Sequence, residues 1–135
     1  MSTTKSALDT NVLIYSHSQD DLFKQDIARN LIVRSPVVST QVLSEYINVL
    51  KRVMSLSKKE LLSLCIKTFA HSDIYPVGMD TLKAAEQIIQ RYDLQIFDSI
   101  VVAAAIEAGC DVLYTEDMSH NLVINNQLTI INPFL

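Results

Sequence analysis

Asp9, Glu45, Asp98 and Asp117 are the residues of this 135-residue chain whose types best suit hydrolytic chemistry. Carboxylates are hard oxygen donors, and several of them brought together without counter-charge repel strongly. One or two divalent cations, Mg²⁺ or Mn²⁺, resolve that repulsion. A metal so held lowers the pKa of a bound water, orients it for in-line attack on a phosphodiester, and stabilises charge on the leaving oxygen. Such a reaction needs no His or Ser nucleophile, so hydrolysis by metal-activated water is the economical reading.

Taken singly, each acid also has an ordinary structural reading. Asp9-Thr10-Asn11 reads equally as an Asx turn or helix cap. Asp98 reads as an N-cap, Glu45 as part of a solvated helix face, and Glu116-Asp117 as a surface loop.

The elements that must bring the four together alternate along the chain. Short strand-like runs are expected at Ser6 to Asp9, Pro36 to Ser39, Ile74 to Val77, Val112 to Thr115 and Thr129 to Ile131. Longer helical patterns lie between them, which implies βαβ units, a five-stranded parallel sheet and helices on both faces. Asp21 to Val33 is a helix with Leu22, Ile27, Leu31 and Ile32 on its apolar side. Ser57-Lys58-Lys59-Glu60 reads as a capping box before Leu61 to Ala70. Asp80 is expected to cap the next helix, and Gly109 suits the left-handed end of a helix from Asp98 to Ala108. That helix is apolar nearly all round, so it belongs at the centre of the fold.

In an open parallel sheet, ligands bind beyond the carboxyl ends of the strands, where strand order reverses. Asp9 closes the first strand, Asp117 lies just past the fourth, and Asp98 opens the central helix. Glu45 follows the second strand. At about 100° per residue it joins Gln41, Asn48 and Arg52 in a polar stripe bordering the arc of Val42, Leu43, Tyr46, Ile47, Val49 and Leu50. That border is where a side chain reaches a cleft.

Composition sets the outer limits. With 49% hydrophobic residues, two Gly, three Pro and no repeats, residues 1–135 are expected to form one ordered domain, loose only over Met1 to Thr4. No run approaches the roughly 18 apolar residues of a membrane span, and no leader pattern opens the chain, so a cytoplasmic location is expected. Cys65 and Cys110 lack metal or redox spacing and read as reduced and buried. The net charge of −4 is unusual for a partner of nucleic acid. Setting aside the four site acids leaves 11 acidic residues against 11 Lys and Arg, so charge neither excludes nor favours RNA.

The segments Leu8-Asp9-Thr10-Asn11-Val12-Leu13-Ile14-Tyr15, Ser39 with Glu45 six residues on, Phe97-Asp98-Ser99-Ile100-Val101-Val102-Ala103-Ala104 and Tyr114-Thr115-Glu116-Asp117-Met118-Ser119-His120 together resemble the PIN-domain ribonucleases. The resemblance is especially to the VapC-type toxins of toxin–antitoxin pairs. It implies a PIN-like three-layer α/β/α sandwich and a Mg²⁺ or Mn²⁺ site formed by Asp9, Asp98 and Asp117, with Glu45 completing the quartet. It further casts Thr10, Asn11, Ser39 and Thr115 as groups that orient carboxylates or water, and Glu116 as another member of this outer set. Asn11, Thr115 and His120 are candidates to touch a phosphate. Endonucleolytic cleavage of RNA, homodimerisation, a cognate antitoxin covering the groove, and operator DNA reached only through that antitoxin all follow from the resemblance. One departure is Asn121, where such proteins often carry Gly after the His.

Other readings compete. A housekeeping RNA-processing PIN nuclease, or a PIN domain that binds RNA or a partner without cutting, shares the pattern, although the intact acidic set disfavours the latter. A haloacid-dehalogenase-like phosphatase wants a second acid two residues after Asp9, where Asn11 stands. A receiver domain wants an acidic pair near the first strand's end, and Asp20-Asp21 comes too late. His17 and His71 read as solvent-facing, and Lys51-Arg52 with Lys58-Lys59 as either an RNA-guiding bend or a solvated one.

Overall fold

A computed structural model describes residues 4–135, so Met1, Ser2 and Thr3 of the start expected to be loose lie outside the described residues. The elements run in the order β1 (Ser6–Leu8), α1 (Thr10–Tyr15), α2 (Leu22–Ile32), β2 (Val37–Ser39), α3 (Thr40–Val53), α4 (Lys58–Thr68), β3 (Asp73–Tyr75), α5 (Met79–Tyr92), α6 (Ile96–Glu107), β4 (Val112–Tyr114), β5 (Val123–Ile124) and β6 (Leu128–Ile131). The sheet order is β3-β2-β1-β4-β6-β5. The first five strands of that order run parallel, with Ser6 opposite Val112, Leu8 opposite Tyr114 and Val38 opposite Ile74.

The chain therefore steps outward from β1 through β2 to β3, then returns to the opposite side of β1 for β4. The reversal of strand order falls between β1 and β4, which places a crevice at their carboxyl ends. Helix α1 packs with α2 and α3, while α5 packs with α6, which crosses β2, β4 and β6. The result is the expected PIN-like α/β/α sandwich.

The sheet has six strands, not five. β5 pairs antiparallel to β6 through a turn in which Asn125 and Asn126 both have φ of 54°, and Gln127 N–H donates to the Ile124 carbonyl at 2.9 Å. Asn accepts left-handed φ more readily than most residues, and two in succession suit a tight hairpin. A two-residue strand has no periodicity to detect, which is why Val123–Ile124 escapes a pattern-based reading.

Helix ends follow local chemistry with two exceptions. Asp21 accepts from Lys24 N–H, and the Ser57–Glu60 capping box is complete. Past α6, Cys110 N–H donates to Ala105 and Gly109 N–H to Ile106, with Gly109 at φ 80°. These two bonds form a Schellman end that favours glycine. Asp80, by contrast, does not cap α5. That helix starts at Met79, and the Thr81 hydroxyl accepts from Gly78 N–H. Asp98 is not a cap either, because α6 begins two residues earlier at Ile96 and Asp98 lies in its first turn.

The core is continuous under the site. Leu8, Leu13, Val38, Tyr46, Val102, Leu113 and Ile130 are sealed from solvent, and α6 buries every residue from Ser99 to Ala105. Burying such side chains contributes roughly 1.5–3 kcal/mol each for the larger aliphatics, which is what holds the short strands in register. Both cysteines are free and buried. Among the described residues, no helix is long and apolar enough to cross a membrane. His71 is exposed as expected, but His17 is not solvent-facing: it is half-buried, and its Nε2 shares a hydrogen bond with the hydroxyl of the buried Tyr46.

Candidate active site

The site begins with three consecutive residues. Asp9 ends the β1 ladder through its N–H, which donates to the Tyr114 carbonyl at 3.0 Å, and then caps α1 by accepting from Thr10 N–H at Oδ1, 2.8 Å away. Its other oxygen, Oδ2, accepts from Thr115 Oγ1 at 2.8 Å. Thr10 Oγ1 donates to Glu45 Oε2 at 2.9 Å, and Asn11 Nδ2 donates to Asp117 Oδ2 at 2.9 Å. Asp9-Thr10-Asn11 thus makes the expected Asx cap and also reaches two of the other three acids.

Glu45 is held from its own helix as well. Gln41, one turn earlier on α3, donates from Nε2 to Glu45 Oε1 at 2.8 Å. Thr115, directly beyond β4, is fully buried and accepts both Asn11 Nδ2 at 3.2 Å and Asp117 N–H at 3.1 Å. Asp98 enters from the first turn of α6, where negative charge is favoured by the helix dipole. Among the described residues its carboxylate takes no hydrogen bond, which leaves it free to face its neighbours.

Electrostatics shows that the four acids feel one another. The Asp9 carboxyl is raised to about 6 from 3.8, chiefly by burial, with the charges of Glu45 and Asp98 adding to the rise. The hydrogen bonds from Thr115 and Thr10 pull it the other way. Asp98 is also raised, first by burial and then by Asp117 and Glu45. An open groove of about 410 Å³ adjoins them, lined by Thr10, Asn11, Ile14, Tyr15, Glu45, Val49 and Asp117. A larger cleft of about 880 Å³ lies elsewhere, between His17, Arg29, Met54 and Lys67. Volume does not choose between them; the smaller one is lined by two of the four acids, Glu45 and Asp117, and the larger by none of them.

The donor set suits a hard divalent cation, since it offers carboxylate oxygens and mutual repulsion that a cation relieves. The acids are nevertheless not drawn into a closed cage. Among the described residues, no three His, Cys, Asp or Glu side chains converge that tightly. Three of the four are held instead on hydroxyl and amide donors around an opening.

The remaining expected residues sort by their contacts. Ser39 caps α3 by accepting Val42 N–H at 3.2 Å, and no hydrogen bond joins it to the four acids. His120 is exposed, and its Nδ1 accepts Asn132 N–H at 3.0 Å, which also leaves it outside the hydrogen-bonded acidic network. Glu116 faces away from the site, toward Tyr15 and Lys24. Asn121 adopts φ 70°, so the left-handed backbone open to Gly is kept by Asn. Sequence reasoning misses Gln41 as a partner of Glu45, although its place four residues earlier in the same stripe is an available signal. It also misses Lys24, for which no local signal exists.

A family model described as the PIN domain matches residues 7–123. No curated protein matches the chain. Among solved structures, a toxin–antitoxin complex from Klebsiella pneumoniae superposes with TM-score 0.69 at 19% identity, covering 96% of this chain and 98% of that one. The sarcin-ricin-loop-cleaving toxin VapC20 of Mycobacterium tuberculosis gives 0.65 at 18%, covering 84% and 90%. DNA-bound VapBC from Salmonella typhimurium gives 0.68 at 19%, covering 95% and 97%.

Proposed function

Because the chain belongs to the PIN-domain family, we propose that residues 1–135 act as one Mg²⁺- or Mn²⁺-dependent endoribonuclease domain, the toxin of a toxin–antitoxin pair. The observation that supports this reading is the coupling of the four acids beside the β1–β4 reversal: Thr10 and Asn11, next to Asp9, donate to Glu45 and Asp117, and Asp9 and Asp98 are both raised in part by their acidic neighbours.

Asp9 and Asp98, with Asp117 and Glu45, would hold the metal. When bound, it supplies the Lewis acidity that activates water and offsets charge at the phosphate. The chain's own residues do the rest. Thr115 and Thr10 N–H fix both oxygens of Asp9, so one buried carboxylate presents a single orientation. Thr10 and Gln41 fix Glu45. Asn11 lines the groove and sets Asp117, with both amide hydrogens engaged by Thr115 and Asp117. Burial of Asp9 excludes water from the inner side of the site, so the groove is the route of approach.

The structural neighbours that are toxin–antitoxin complexes support an antitoxin protein as partner, and one of them binds DNA; in this reading the antitoxin covers the groove and carries any operator DNA. The neighbour that cleaves the sarcin-ricin loop supports RNA as the substrate class. Exposed Met79, Leu82, Ile96 and Phe97 offer apolar surface for a homodimer. Action on cellular RNA implies a cytoplasmic location.

The test is to incubate the purified chain with structured RNA in Mn²⁺ and in EDTA, beside Asp9→Asn and Asp98→Asn. Cleavage by wild type alone, and only with metal, is expected. Equal cleavage by the variants rejects the catalytic reading. Mapping new 5′ ends in cellular RNA after brief expression then identifies the substrate.

A further inference from the structure

Glu116 stands between two residues of the acidic site and turns away from it. On one side, Asn11 Nδ2 donates to Thr115 Oγ1 at 3.2 Å and to Asp117 Oδ2 at 2.9 Å, while Thr115 Oγ1 donates to Asp9 Oδ2 at 2.8 Å. On the other side, both carboxylate oxygens of Glu116 are occupied. Tyr15 Oη donates to Oε1 at 2.6 Å, and Lys24 Nζ donates to Oε2 at 3.1 Å.

Lys24 is itself held over two aromatic rings. Its ammonium donates to Tyr15 Oη at 3.2 Å and lies 4.5 Å from the centre of the Tyr15 ring and 5.2 Å from that of Phe134. The two rings meet edge to face at 5.0 Å. Lys24–Glu116 is the only ion pair among the described residues, and its side chains are 26% and 24% exposed. Ion pairs at this level of exposure add little to stability. Yet the last residue of α1 and the first turn of α2 converge on this one carboxylate, and a residue beyond β6, Phe134, packs against both of them.

We propose that Lys24 and Tyr15, backed by the Phe134 ring, clamp Glu116 and thereby set the position of Thr115 and Asp117, making the three of them positioning residues of the acidic site. In the bend that follows β4, Thr115 and Asp117 make their hydrogen bonds with Asp9 and Asn11, whereas Glu116 makes its own with Tyr15 and Lys24. Gripping Glu116 from outside therefore fixes the two neighbours that point inward. Asn11 holds the same segment from within, also accepting Glu116 N–H at Oδ1, 3.3 Å away. Without the clamp, Glu116 loses both partners of its carboxylate, and the segment is held from one side only. This inference rests on reading the four carboxylates as a metal-dependent nuclease site.

The experiment compares wild type with Lys24→Met, Lys24→Arg and Tyr15→Phe, all as the full chain. Mn²⁺ affinity is measured by calorimetric titration, and RNA cleavage is resolved into kcat and KM. Loss of outer groups that orient metal ligands weakens affinity by about 10–100-fold, so Lys24→Met is expected to lose at least about 10-fold in Mn²⁺ affinity and in kcat. KM and melting temperature stay near wild type, and Lys24→Arg restores both losses. Tyr15→Phe, which keeps the ring and removes only the hydroxyl, carries the same direction should Lys24→Met fail to fold. Wild-type Mn²⁺ affinity in Lys24→Met, or equal impairment in Lys24→Arg, overturns the clamp. If the variants shift Mn²⁺ affinity as expected while wild type cuts no RNA, the nuclease reading falls and the clamp stands. If all variants cut equally well, the clamp falls and the nuclease reading stands. A wild type that binds no Mn²⁺ overturns both.

Discussion

Thr115 Oγ1 donates to Asp9 Oδ2 at 2.8 Å across 106 positions of sequence, tying together the ends of two adjacent parallel strands. The same oxygen accepts from Asn11 and from the Asp117 N–H. Thr115→Val keeps the side chain's shape and strips a buried carboxylate and two donors of their partner. An unsatisfied buried polar group costs about 1–3 kcal/mol, so a loss of at least about 2 kcal/mol in chemical denaturation is expected. Cleavage should fall by about 10–100-fold, with Thr115→Ser retaining most of both. A Thr115→Val chain as stable as wild type would mean that the hydroxyl is not engaged.

Asp9 gives the metal-free chain a distinctive pH dependence. Burial, opposed by the Thr115 and Thr10 hydrogen bonds and reinforced by Glu45 and Asp98, raises its carboxyl to about 6 from 3.8. The folded state then holds this proton more tightly than the unfolded state. Ionised Asp9 therefore costs stability above about pH 6, and the cost fades as pH falls from there toward 3.8. His17 runs oppositely, because burial lowers its pKa from 6.5 and acidification below that value charges the unfolded state first. The two ranges overlap, so the difference between Asp9→Asn and wild type isolates Asp9. In chelator near neutral pH, Asp9→Asn is expected to be the more stable, by at most about 3 kcal/mol, since a tenfold change in proton affinity is worth about 1.4 kcal/mol. Thermal melts across the acid range should show that gap closing; a constant gap would exclude the linkage.

Metal should stabilise the folded chain, because only folding gathers acids that are far apart in sequence. At a concentration about 100-fold above the dissociation constant, the gain is about 2.7 kcal/mol. Asp98 neither caps α6 nor takes a hydrogen bond among the described residues, so Asp98→Asn leaves the metal-free fold intact. Scanning calorimetry with and without Mn²⁺ is expected to show a rise in melting temperature in wild type that Asp98→Asn largely lacks. Equal rises would remove Asp98 from the site.

Tyr46 separates stability from chemistry within one helix. It is fully buried, its hydroxyl donates to Thr68 Oγ1 at 3.3 Å and meets His17 Nε2, and its ring stands edge-on to Phe69 at 5.0 Å. Tyr46→Phe keeps the ring contact and leaves His17 without its partner. A loss of about 1–2 kcal/mol is expected, with Mn²⁺ affinity unchanged although Glu45 is the preceding residue. A matching fall in Mn²⁺ affinity would mean that the two faces of α3 are coupled.

Much of the fold is legible in the sequence where the cause lies within a few residues. The Ser57–Glu60 box, the Asp21 cap, the Gly109 helix end and the all-apolar run of α6 are local facts, written in spacing and φ preference. The parallel strands follow from short apolar runs between helical ones. β5 does not, since two residues and an Asn-Asn turn carry no period. Asp98 and Asp80 read as caps because an acid near a helix start is often one, whereas the caps are Gln95 and Gly78, three and two residues earlier, and both acids fall in the first turn.

By itself, then, the sequence determined which acids were available, the strand ends and helices they occupy, and the apolar pattern that buries α6. Only the tertiary structure decided what those acids touch. Placing β4 beside β1 brings Thr115 to Asp9, and placing α2 under the segment after β4 brings Lys24 to Glu116 across 92 positions. The reason is physical. Caps and periodicity act through bonds and neighbours a turn apart, while these contacts exist only once hydrophobic burial has ordered the strands.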